Sequence, residues 1–468
     1  MMTKKNEPLT GSHPLLPNLD QEIIEEMLLR IGASSVEELF SDIPSDIRLK
    51  RGLRLPEGQS ESVVRRDLQS RLASNKTPPN SLCFLGGGVW PHYIPAAVES
   101  VVSRQEFYTS YTPYQPEISQ GMLQALFEYQ SLMCDLLRME ACNSSMYDWA
   151  SAAGEAARMA SKVTGRRRFL LCGDIGPTRL EVIKAYVSPM DLELESLPFD
   201  GRSGATDFSA LSSRITSEVA GVYVENPNYF GVLEEGLLDL STRLHESGGL
   251  LVVGVDPLSL SIVKPPGEYG ADIVVGEGQP LGIPMNYGGP HLGIFAVRDL
   301  GLARSMPGRL IGITTEKDSE QKAFSMVLQT REQHIRREGA TSNICTNQSL
   351  MAVAASCYLA MLGKTGLRRL GEVIISNSHY AAKRLSRVDG VTSPLFKGPF
   401  FKEFAVGYEG ARAVSVYRRM ARRGVLGGYP LDRGFRLGRE AGLFCVTEVH
   451  THADIERLAA ALEEAVKR

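Results

Sequence analysis

The chain has 468 residues, of which 43 % are hydrophobic and 22 % charged, and its formal net charge is −3. This length predicts two or three domains, and the composition is ordinary for a globular protein. A net charge so close to zero gives no bulk attraction to nucleic acid or to anionic membranes. We find no apolar run near the roughly 20 residues of a membrane span and no signal-peptide pattern in MMTKKNEPLTGSHPLLPNLD, so we expect a cytoplasmic protein.

The cysteines are odd in number, widely spaced and without a CxxC pair, at positions 83, 134, 142, 172, 345, 357 and 445. This pattern favours reduced thiols over a disulfide framework or a zinc site, and buried packing over catalysis for each cysteine. His92, His291 and His334 are also isolated from other metal-ligating residues in the sequence. We therefore expect no metal site.

Residues 1–80 read as a helical arm that ends in a linker, NKTPPN. In NLDQEIIEEMLLRIG, Asp20 is a candidate helix cap and Gly32 a candidate stop. SSVEELFSDIP predicts a second helix, with Ser34 or Ser35 at its cap, and residues 62–74 predict a third. The arm contains packing residues and no recognisable chemistry.

The segment YTPYQPE cannot form a regular helix, because its two prolines fix φ and restrict the residues before them. Tyr108, Tyr111 and Tyr114 follow one another at intervals of three, next to Gln115 and Glu117. Two interpretations stay open: an ordered surface loop whose tyrosines cover a helix, or a loop that reaches into an active site. A helix is predicted from about Ser119.

Beyond residue 143 the chain alternates between predicted strands and helices. The small residues Ser151–Gly154 open an alanine-rich helix and suggest uncovered backbone N–H groups suited to a phosphate, although close helix packing is the commoner reason for them. The predicted strands are RRRFLLCG, LELESLPF, AGVYVENPN and GGLLVVGVDP. The alternation predicts a mainly parallel, doubly wound sheet with any ligand at the carboxyl ends of its strands, where Asn226 and Asp256 lie.

Residues 250–297 combine a buried strand ending in Asp256, a strand from Ile273 to Val275, a glycine-rich passage and a third strand, Gly293–Val297. Further on, four basic residues precede EGATSNICTNQ: Arg331, His334, Arg336 and Arg337. They form either a solvated basic helix face or an anion-binding edge. The remainder reads as a small α/β domain, which divides the chain into residues 1–80, 81–350 and 351–468.

Six strings in this order resemble the amino-terminal half of the glycine cleavage P-protein, glycine decarboxylase, which in split systems is a separate subunit 1. They are FLGGGVWPHYIPAAV (84–98), YTPYQPEISQG (111–121), NSSMYD (143–148), PPGEYGADI (265–273), NYGGPHLGIFAV (286–297) and REQHIRREGATSNICTNQ (331–348). The strings are long and unusual, so the resemblance is specific.

The resemblance implies the aspartate-aminotransferase-like fold of pyridoxal-phosphate (PLP) enzymes, fold type I, with a small C-terminal α/β domain. In that layout an acid at a strand end pairs with the pyridine nitrogen and a lysine past the next strand forms the Schiff base. Alignment on the following Ile283-Pro284 places Gln279 on that lysine and Gly278 on the histidine before it. An amide cannot form the imine, so Asp256 and Gln279 mark a vestigial site.

The family's reaction is PLP-dependent decarboxylation of glycine with transfer of the aminomethyl group to the lipoyl arm of H-protein. The resemblance implies that the partner, subunit 2, holds PLP covalently and that this chain completes an interface site. Tyr111, Tyr114, Gln115 and Glu117 are then candidate catalytic-loop residues acting on the partner's site. Residues suited to the partner's PLP phosphate are Thr341, Ser342 and Asn343, which Arg331, His334 and Arg336 could support.

Two rival hypotheses remain. The chain could be a structural paralogue that stabilises subunit 2 and touches no substrate. It could also be a self-sufficient PLP enzyme that uses an unidentified lysine, although the sequence shows no obvious substitute: Lys264 precedes the relevant strand, and Lys317 and Lys322 lie in a polar stretch beyond the third.

Overall fold

A computed structural model describes residues 15–77, 80–173, 175–431, 435 and 437–467. The chain divides into two units, Met1–Asn75 and Lys76–Arg468, each of which is described by itself. The three predicted domain ranges stay predictions, since the second unit is not divided further.

The described residues of the first unit form two α-helices, α1 (Gln21–Ile31) and α2 (Glu61–Leu72), with a 3₁₀ helix at Val36–Phe40 between them. The Asp20 carboxylate accepts a hydrogen bond from the Glu22 N–H, and Gly32 ends α1 with a φ of 74°, as predicted. Ser35 caps the 3₁₀ helix. None of the residues in these three helices is buried, so the described part of this unit has no core of its own.

The helices of the second unit are α3 (Ala96–Val102), α4 (Gln105–Tyr108), α5 (Gln120–Leu137), α6 (Trp149–Thr164), α7 (Pro177–Val187), α8 (Phe208–Ser212), α9 (Leu237–Glu246), α10 (Leu300–Ala303), α11 (Gln333–Arg336), α12 (Ser349–Leu385), α13 (Ala413–Arg422) and α14 (His452–Val466). Its strands are β1 (Leu82–Phe84), β2 (Ala141–Cys142), β3 (Arg168–Leu171), β4 (Glu193–Ser196), β5 (Val219–Glu225), β6 (Leu250–Val255), β7 (Ile273–Glu277), β8 (Gly293–Val297), β9 (Leu310–Thr315), β10 (Lys322–Val327), β11 (Val391–Thr392), β12 (Glu403–Tyr408), β13 (Val425–Gly427), β14 (Tyr429–Pro430) and β15 (Glu440–Cys445).

A seven-stranded sheet has the strand order β2-β8-β7-β6-β5-β3-β4. The strands from β7 to β4 are parallel, whereas β8 and β2 pair antiparallel at one edge. Both faces are covered: Leu251 and Val253 of β6 belong to one core cluster and Leu250 and Val252 to another. This two-sided burial explains why the central strands read as continuous apolar runs, and the predicted mainly parallel α/β fold is confirmed.

The C-terminal residues form a four-stranded antiparallel sheet, in the order β11-β12-β15-β14, that packs with α13 and α14. The last helix, α14, begins with a capping box formed by Thr451 and Asp454. β1, which lies in the predicted large-domain range, pairs in parallel with β13 of the C-terminal range in a separate two-stranded sheet.

The long helix α12 interrupts its helical geometry once, at Gly363. By length and composition alone, α12 could cross a membrane. From the sequence we expected no apolar run of that length. The helix contacts α3, α5 and α14, and its buried apolar side chains belong to the core clusters. The core helix of a soluble protein passes the same test, so the match is weak evidence for a membrane span.

Two segments have structures that the sequence did not indicate. Residues 310–327 form an antiparallel hairpin, β9–β10, around a polar turn, although the strands lack a strict alternation of apolar and polar residues. Of the four basic residues interpreted either as a helix face or as an anion-binding edge, only His334 and Arg336 lie in an α-helix, the four-residue α11. His334 and Arg336 are exposed there, whereas Arg331, which precedes α11, is buried.

Gly154 allows α6 to approach α7 closely, because a Cβ on it would lie 2.6 Å from Cγ of Tyr186. We expect Gly154→Ala to lower the free energy of unfolding by about 1–3 kcal/mol through overpacking. The control is Gly121→Ala in α5, where a Cβ meets nothing within 4 Å. Chemical denaturation of both variants checks this. Equal stability of the two would contradict the close approach.

Candidate functional site

Three acidic residues lie at or just beyond the carboxyl ends of adjacent parallel strands. Glu225 ends β5, Asp256 follows β6 and Glu277 ends β7, and all three are buried. Adjacent parallel strands bring their carboxyl ends to one edge, which is where this fold class places ligands. Buried carboxylates need partners, and each of the three has a different one.

Asp256 is paired with a lysine that the sequence did not suggest. Nζ of Lys402 lies 2.8 Å from Oδ2 of Asp256, and both side chains are almost fully buried. The ammonium group also lies 3.9 Å from the centroid of the Trp90 ring. Oδ1 of Asp256 accepts a hydrogen bond from the Leu258 N–H, which caps the following 3₁₀ helix. These contacts give Asp256 a structural role at the end of β6.

The ion pair continues into a chain of polar groups. Nε2 of His92 lies 3.0 Å from Nζ of Lys402, and its Nδ1 lies 2.9 Å from Oε2 of Glu448. Burial lowers the pKa of His92, and the nearby Lys402 charge lowers it further. A neutral imidazole accepts from the ammonium and donates to the carboxylate, so one tautomer satisfies both neighbours.

Glu403 follows Lys402 at the start of β12. Its Oε1 accepts a hydrogen bond of 2.6 Å from the Gly87 N–H. Burial raises the pKa of Glu403 to about 7. The space left among these groups is a cavity of about 10 Å³ lined by residues including Trp90, Arg179 and Lys402. This volume holds about one water molecule.

Gln279 is bonded at both ends of its side-chain amide. Oε1 accepts from the Trp90 N–H at 3.0 Å, and Nε2 donates to the Ile283 carbonyl at 2.8 Å. The residue is buried. Its amide fastens the glycine-rich segment before Trp90 to the turn after β7, and neither polar atom is directed to a ligand.

Glu277 covers the start of α6. Oε1 accepts from the N–H groups of Gln279 and Leu292, and Oε2 lies 3.4 Å from the Trp149 N–H. Oε2 also lies 3.2 Å from Nδ1 of His291, and this contact raises the pKa of His291. Asp148 caps the same helix by accepting from the Ser151 N–H at 2.7 Å.

Of the two interpretations of Ser151–Gly154, the structure therefore supports close helix packing and not an open phosphate-binding helix start. Those residues are buried inside α6, and the helix begins earlier, at Trp149. Its first N–H groups face the carboxylates of Asp148 and Glu277. Two carboxylates at this end of the helix repel a phosphate, although the helix dipole alone would attract one.

A second buried ion pair closes the β5 side. Arg179 donates two hydrogen bonds to Glu225, at 2.7 and 2.6 Å, and its guanidinium lies 4.1 Å from the Trp149 ring centroid. The Tyr223 hydroxyl donates to the same carboxylate at 2.9 Å. Outside this pair a pocket of about 300 Å³ is lined by Asp148, Glu277 and other residues.

The predicted tyrosine loop lies at a different place, on an exposed groove of about 680 Å³. Tyr111, Tyr114 and Gln115 line this groove, together with residues of α4 and the start of α5. Glu117 is exposed in the 3₁₀ helix Pro116–Ile118 that follows, and is not among the lining residues. The structure thus brings three of the four candidate loop residues together.

Arg309 connects this loop to the segment that contains Thr341–Asn343. Its Nη2 donates to the Tyr114 hydroxyl at 3.0 Å and to the Cys345 carbonyl. The guanidinium lies 5.3 Å from the Tyr114 ring centroid, and the His334 ring packs edge-on against the same ring at 5.6 Å. Arg309 is buried although it precedes an exposed hairpin.

Arg331 supports the same segment from below. It donates to the carbonyls of Met306 and Gly308, and its own carbonyl accepts from the Thr341 N–H at 3.0 Å. Its guanidinium is therefore used inside the chain and not at an anion-binding edge. Thr341 and Ser342 are half-buried, and Asn343 is exposed.

Sequence reasoning missed Lys402, Arg309 and Arg179. Nothing in FFKEF or in PGRL distinguishes the buried cations from the many exposed basic residues, because each is defined by a partner distant in sequence. Asp256 offered the one available signal: a charged residue directly after a fully apolar strand requires a buried counterion somewhere in the chain.

Similarity to solved structures defines the class of protein. A TM-score of 0.66 at 12 % identity relates this chain to the glutamate decarboxylase of Lactobacillus brevis, covering 92 % of this chain and 97 % of that one. The sphingosine-1-phosphate lyase of Burkholderia pseudomallei gives 0.65 at 14 % identity, with coverage of 91 % and 94 %. At such identities the likeness shows the fold alone, which is fold type I of the PLP-dependent enzymes.

The family follows from sequence. The model of the glycine cleavage system P-protein matches residues 16–462. The chain is 46 % identical to "Probable glycine dehydrogenase (decarboxylating) subunit 1" of Staphylothermus marinus, over 97 % of this chain and 98 % of the relative. A crystal structure of glycine decarboxylase (P-protein), in inhibitor-bound form, has a TM-score of 0.85 at 41 % identity and covers 95 % of this chain and 98 % of that one. The chain belongs to the glycine cleavage system P-protein family.

PLP, the cofactor of this fold class, does not fit the pocket at Asp256. The acid that pairs with a pyridine nitrogen is already paired with Lys402. The helix start that receives a phosphate faces two carboxylates. At Asp256 itself the cavity of about 10 Å³ leaves no room for an aromatic ring, and the neighbouring pocket of about 300 Å³ is not lined by Asp256.

Glu403 gives this pocket a measurable pH dependence. Because burial raises its pKa to about 7, from 4.5, the folded state holds a proton that the unfolded state loses, and stability falls as pH rises through that interval. We expect Glu403→Gln to raise the free energy of unfolding at pH 8 by on the order of 2–3 kcal/mol relative to its effect at pH 4.5. Thermal unfolding at both pH values checks this. The control is Glu409→Gln, which changes an exposed residue directly after β12. The same effect at both pH values would contradict a raised pKa.

Proposed function

We propose that this chain is the first subunit of a two-subunit glycine decarboxylase in the glycine cleavage system. The family match supports the reaction class, and the observation that carries the division of labour is the Lys402–Asp256 pair behind Gln279. A chain of this family whose own pocket is closed needs a second polypeptide to hold PLP. We propose that subunit 2 holds it covalently and that the two chains form the working site together.

The exposed groove supplies this chain's share of the site. PLP held by the partner would supply the electron sink for the decarboxylation, and the surrounding residues would supply the binding, orientation and proton handling. We assign Tyr111, Tyr114 and Gln115 to the wall that excludes water from the glycine side. Glu117, exposed beside the groove, holds an amine or relays a proton.

The segment Thr341–Asn343 is assigned to the phosphate group of the partner's PLP. Its hydroxyl and amide groups can donate hydrogen bonds to phosphate oxygens. Thr341 and Ser342 are half-buried and Asn343 is exposed. Arg309 and Arg331 hold this segment and the tyrosine loop in one arrangement. This shared support favours a working surface over two unrelated loops.

The remaining product step needs a third protein. We propose that the aminomethyl group passes to the oxidised lipoyl arm of H-protein, which reaches the site through the groove. The arm formed by α1 and α2 exposes large apolar residues, among them Leu29 and Ile31, and buries none of its helical residues. We assign this arm to the contact with subunit 2, because exposed apolar residues of this size mark interfaces. A cytoplasmic location is part of the same proposal.

Tyr114→Phe removes the hydroxyl that accepts from Arg309 and keeps the ring. In the complex co-expressed with subunit 2, we expect the rate of glycine–bicarbonate exchange to fall about tenfold, since a hydrogen bond to a charged group is lost. Tyr108→Phe is the matched control, because this exposed tyrosine precedes the groove and is not among its lining residues. Equal rates in both variants would remove Tyr114 from the site.

Glu117→Gln keeps the size of the side chain and removes its charge. We expect a loss of about tenfold or more in the same exchange assay, with unchanged assembly by size-exclusion chromatography. If both loop variants assemble and retain full activity, the rival hypothesis of a structural paralogue is favoured. Loss of turnover without loss of assembly excludes it.

A further inference from the structure

We infer that the cofactor pocket of this chain is closed by its own charged side chains and works as a fixed joint between the parallel sheet and the C-terminal residues. The inference concerns residues of this chain alone and does not depend on the proposed function. It assigns Lys402, Glu277 and Asp148 to the places where a PLP enzyme of this fold receives the charged ends of its cofactor.

Lys402 occupies the end of the pocket at Asp256, where the pyridine nitrogen of PLP would bind. Its Nζ stands 2.8 Å from Oδ2 of Asp256, which is the separation that a protonated pyridine nitrogen needs from the same carboxylate. Two cations cannot share this position, so the lysine and the cofactor exclude each other. The charge of Asp256 is neutralised whether or not any ligand is supplied.

The same position rules out Lys402 as the Schiff-base residue. In PLP the ring nitrogen and the aldehyde carbon lie at opposite ends of the pyridine ring. A lysine paired with Asp256 is therefore at the wrong end to reach the aldehyde. Gln279, which takes the place of the Schiff-base lysine in the sequence, is bonded to Trp90 and Ile283.

The phosphate end is occupied by carboxylates. Asp148 accepts from the Ser151 N–H and Glu277 lies beside the Trp149 N–H, so the positive end of the helix dipole is matched by negative side chains. His291 provides one compensating contact to Glu277. A phosphate dianion would meet two carboxylates where other enzymes of the fold class present free N–H groups.

The closed pocket joins parts of the chain that are far apart in sequence. Lys402 connects Asp256 at the end of β6 with His92, and His92 connects to Glu448. Beside this chain of contacts, the Thr447 hydroxyl donates to the Pro91 carbonyl at 2.6 Å and Glu403 accepts from Gly87. The C-terminal residues are thus fastened to the sheet and to the glycine-rich segment across the former pocket.

The first experiment tests occupancy. The full chain is incubated with PLP at micromolar concentration, reduced with borohydride and mapped by peptide mass spectrometry. We expect no saturable pyridoxyl label at Lys402, and at most scattered label on exposed lysines. A stoichiometric label on Lys402 would overturn the inference.

The second experiment tests the joint with Asp256→Asn, Lys402→Met and the double variant. Each single change leaves one buried charge unpaired, so we expect the melting temperature to fall by about 5 °C or more, whereas the double variant returns to within about 2 °C of the unchanged chain. Lys467→Met, in the exposed pair with Glu463, is the control and should shift it by less than about 1 °C.

Activity separates the joint from a chemical role. With subunit 2 present, the double variant should exchange glycine and bicarbonate at the unchanged rate, within about twofold. A stable double variant without activity would mean that Lys402 takes part in the reaction, which contradicts the inference. Single variants with unchanged melting temperatures would contradict it as well. Absence of exchange in the unchanged complex would instead count against the proposed function and leave both other measurements interpretable.

Discussion

The buried ion pair between Asp256 and Lys402 is the interaction on which the pocket depends. An isolated carboxylate directly after a fully buried strand would cost several kcal/mol of desolvation, and the parallel sheet offers no water to relieve it. A permanent counterion inside the chain removes that cost. The position of Lys402 then explains its neighbours: Trp90 covers the ammonium group, and His92 stays neutral because both burial and the lysine charge lower its pKa.

Because the polar groups of the pocket are bonded within the chain, the polar side chains that remain free to bind a ligand or a partner lie at the surface. The polar groups of Asp256, Gln279 and Glu277 are satisfied by other residues of the same chain. The tyrosine loop, in contrast, exposes side chains in a groove with room for a ligand or a partner segment. Arg309 gives that surface order, because a single buried guanidinium bonds both to Tyr114 and to the carbonyl of Cys345. An ordered exposed surface at one place and a closed internal pocket at another support the proposed role of a subunit that serves another chain.

Much of the fold could be predicted from sequence. The central strands are buried on both faces and therefore appear as continuous apolar runs, and capping residues indicate where helices begin and end. The alternation of strands and helices predicted that Asn226 and Asp256 lie just beyond the carboxyl ends of parallel strands, and they do so after β5 and β6. Lys402 and Arg309 could not be found in this way, since their roles depend on contacts across hundreds of residues. The hairpin β9–β10 was missed because its half-exposed strands flank a polar turn and lack strict alternation.

The two interpretations of Ser151–Gly154 could not be separated from sequence for a different reason. Small residues at a helix start are compatible both with a bound phosphate and with close packing, and here Gly154 contacts α7 while Asp148 caps the helix. Sequence could identify the helix but not which groups face its first turn. Glu277 decides this, and it comes from a strand more than a hundred residues later. The same strand end that carries a cofactor contact in other enzymes of the fold here supplies a carboxylate to the helix. The same principle therefore applies at both ends of the pocket. Each charged or partially charged group that the cofactor would contact, the Asp256 carboxylate and the first N–H groups of α6, already has a partner of opposite charge within the chain. Removing one member of the Asp256–Lys402 pair costs stability, because the other member is left as an unpaired buried charge.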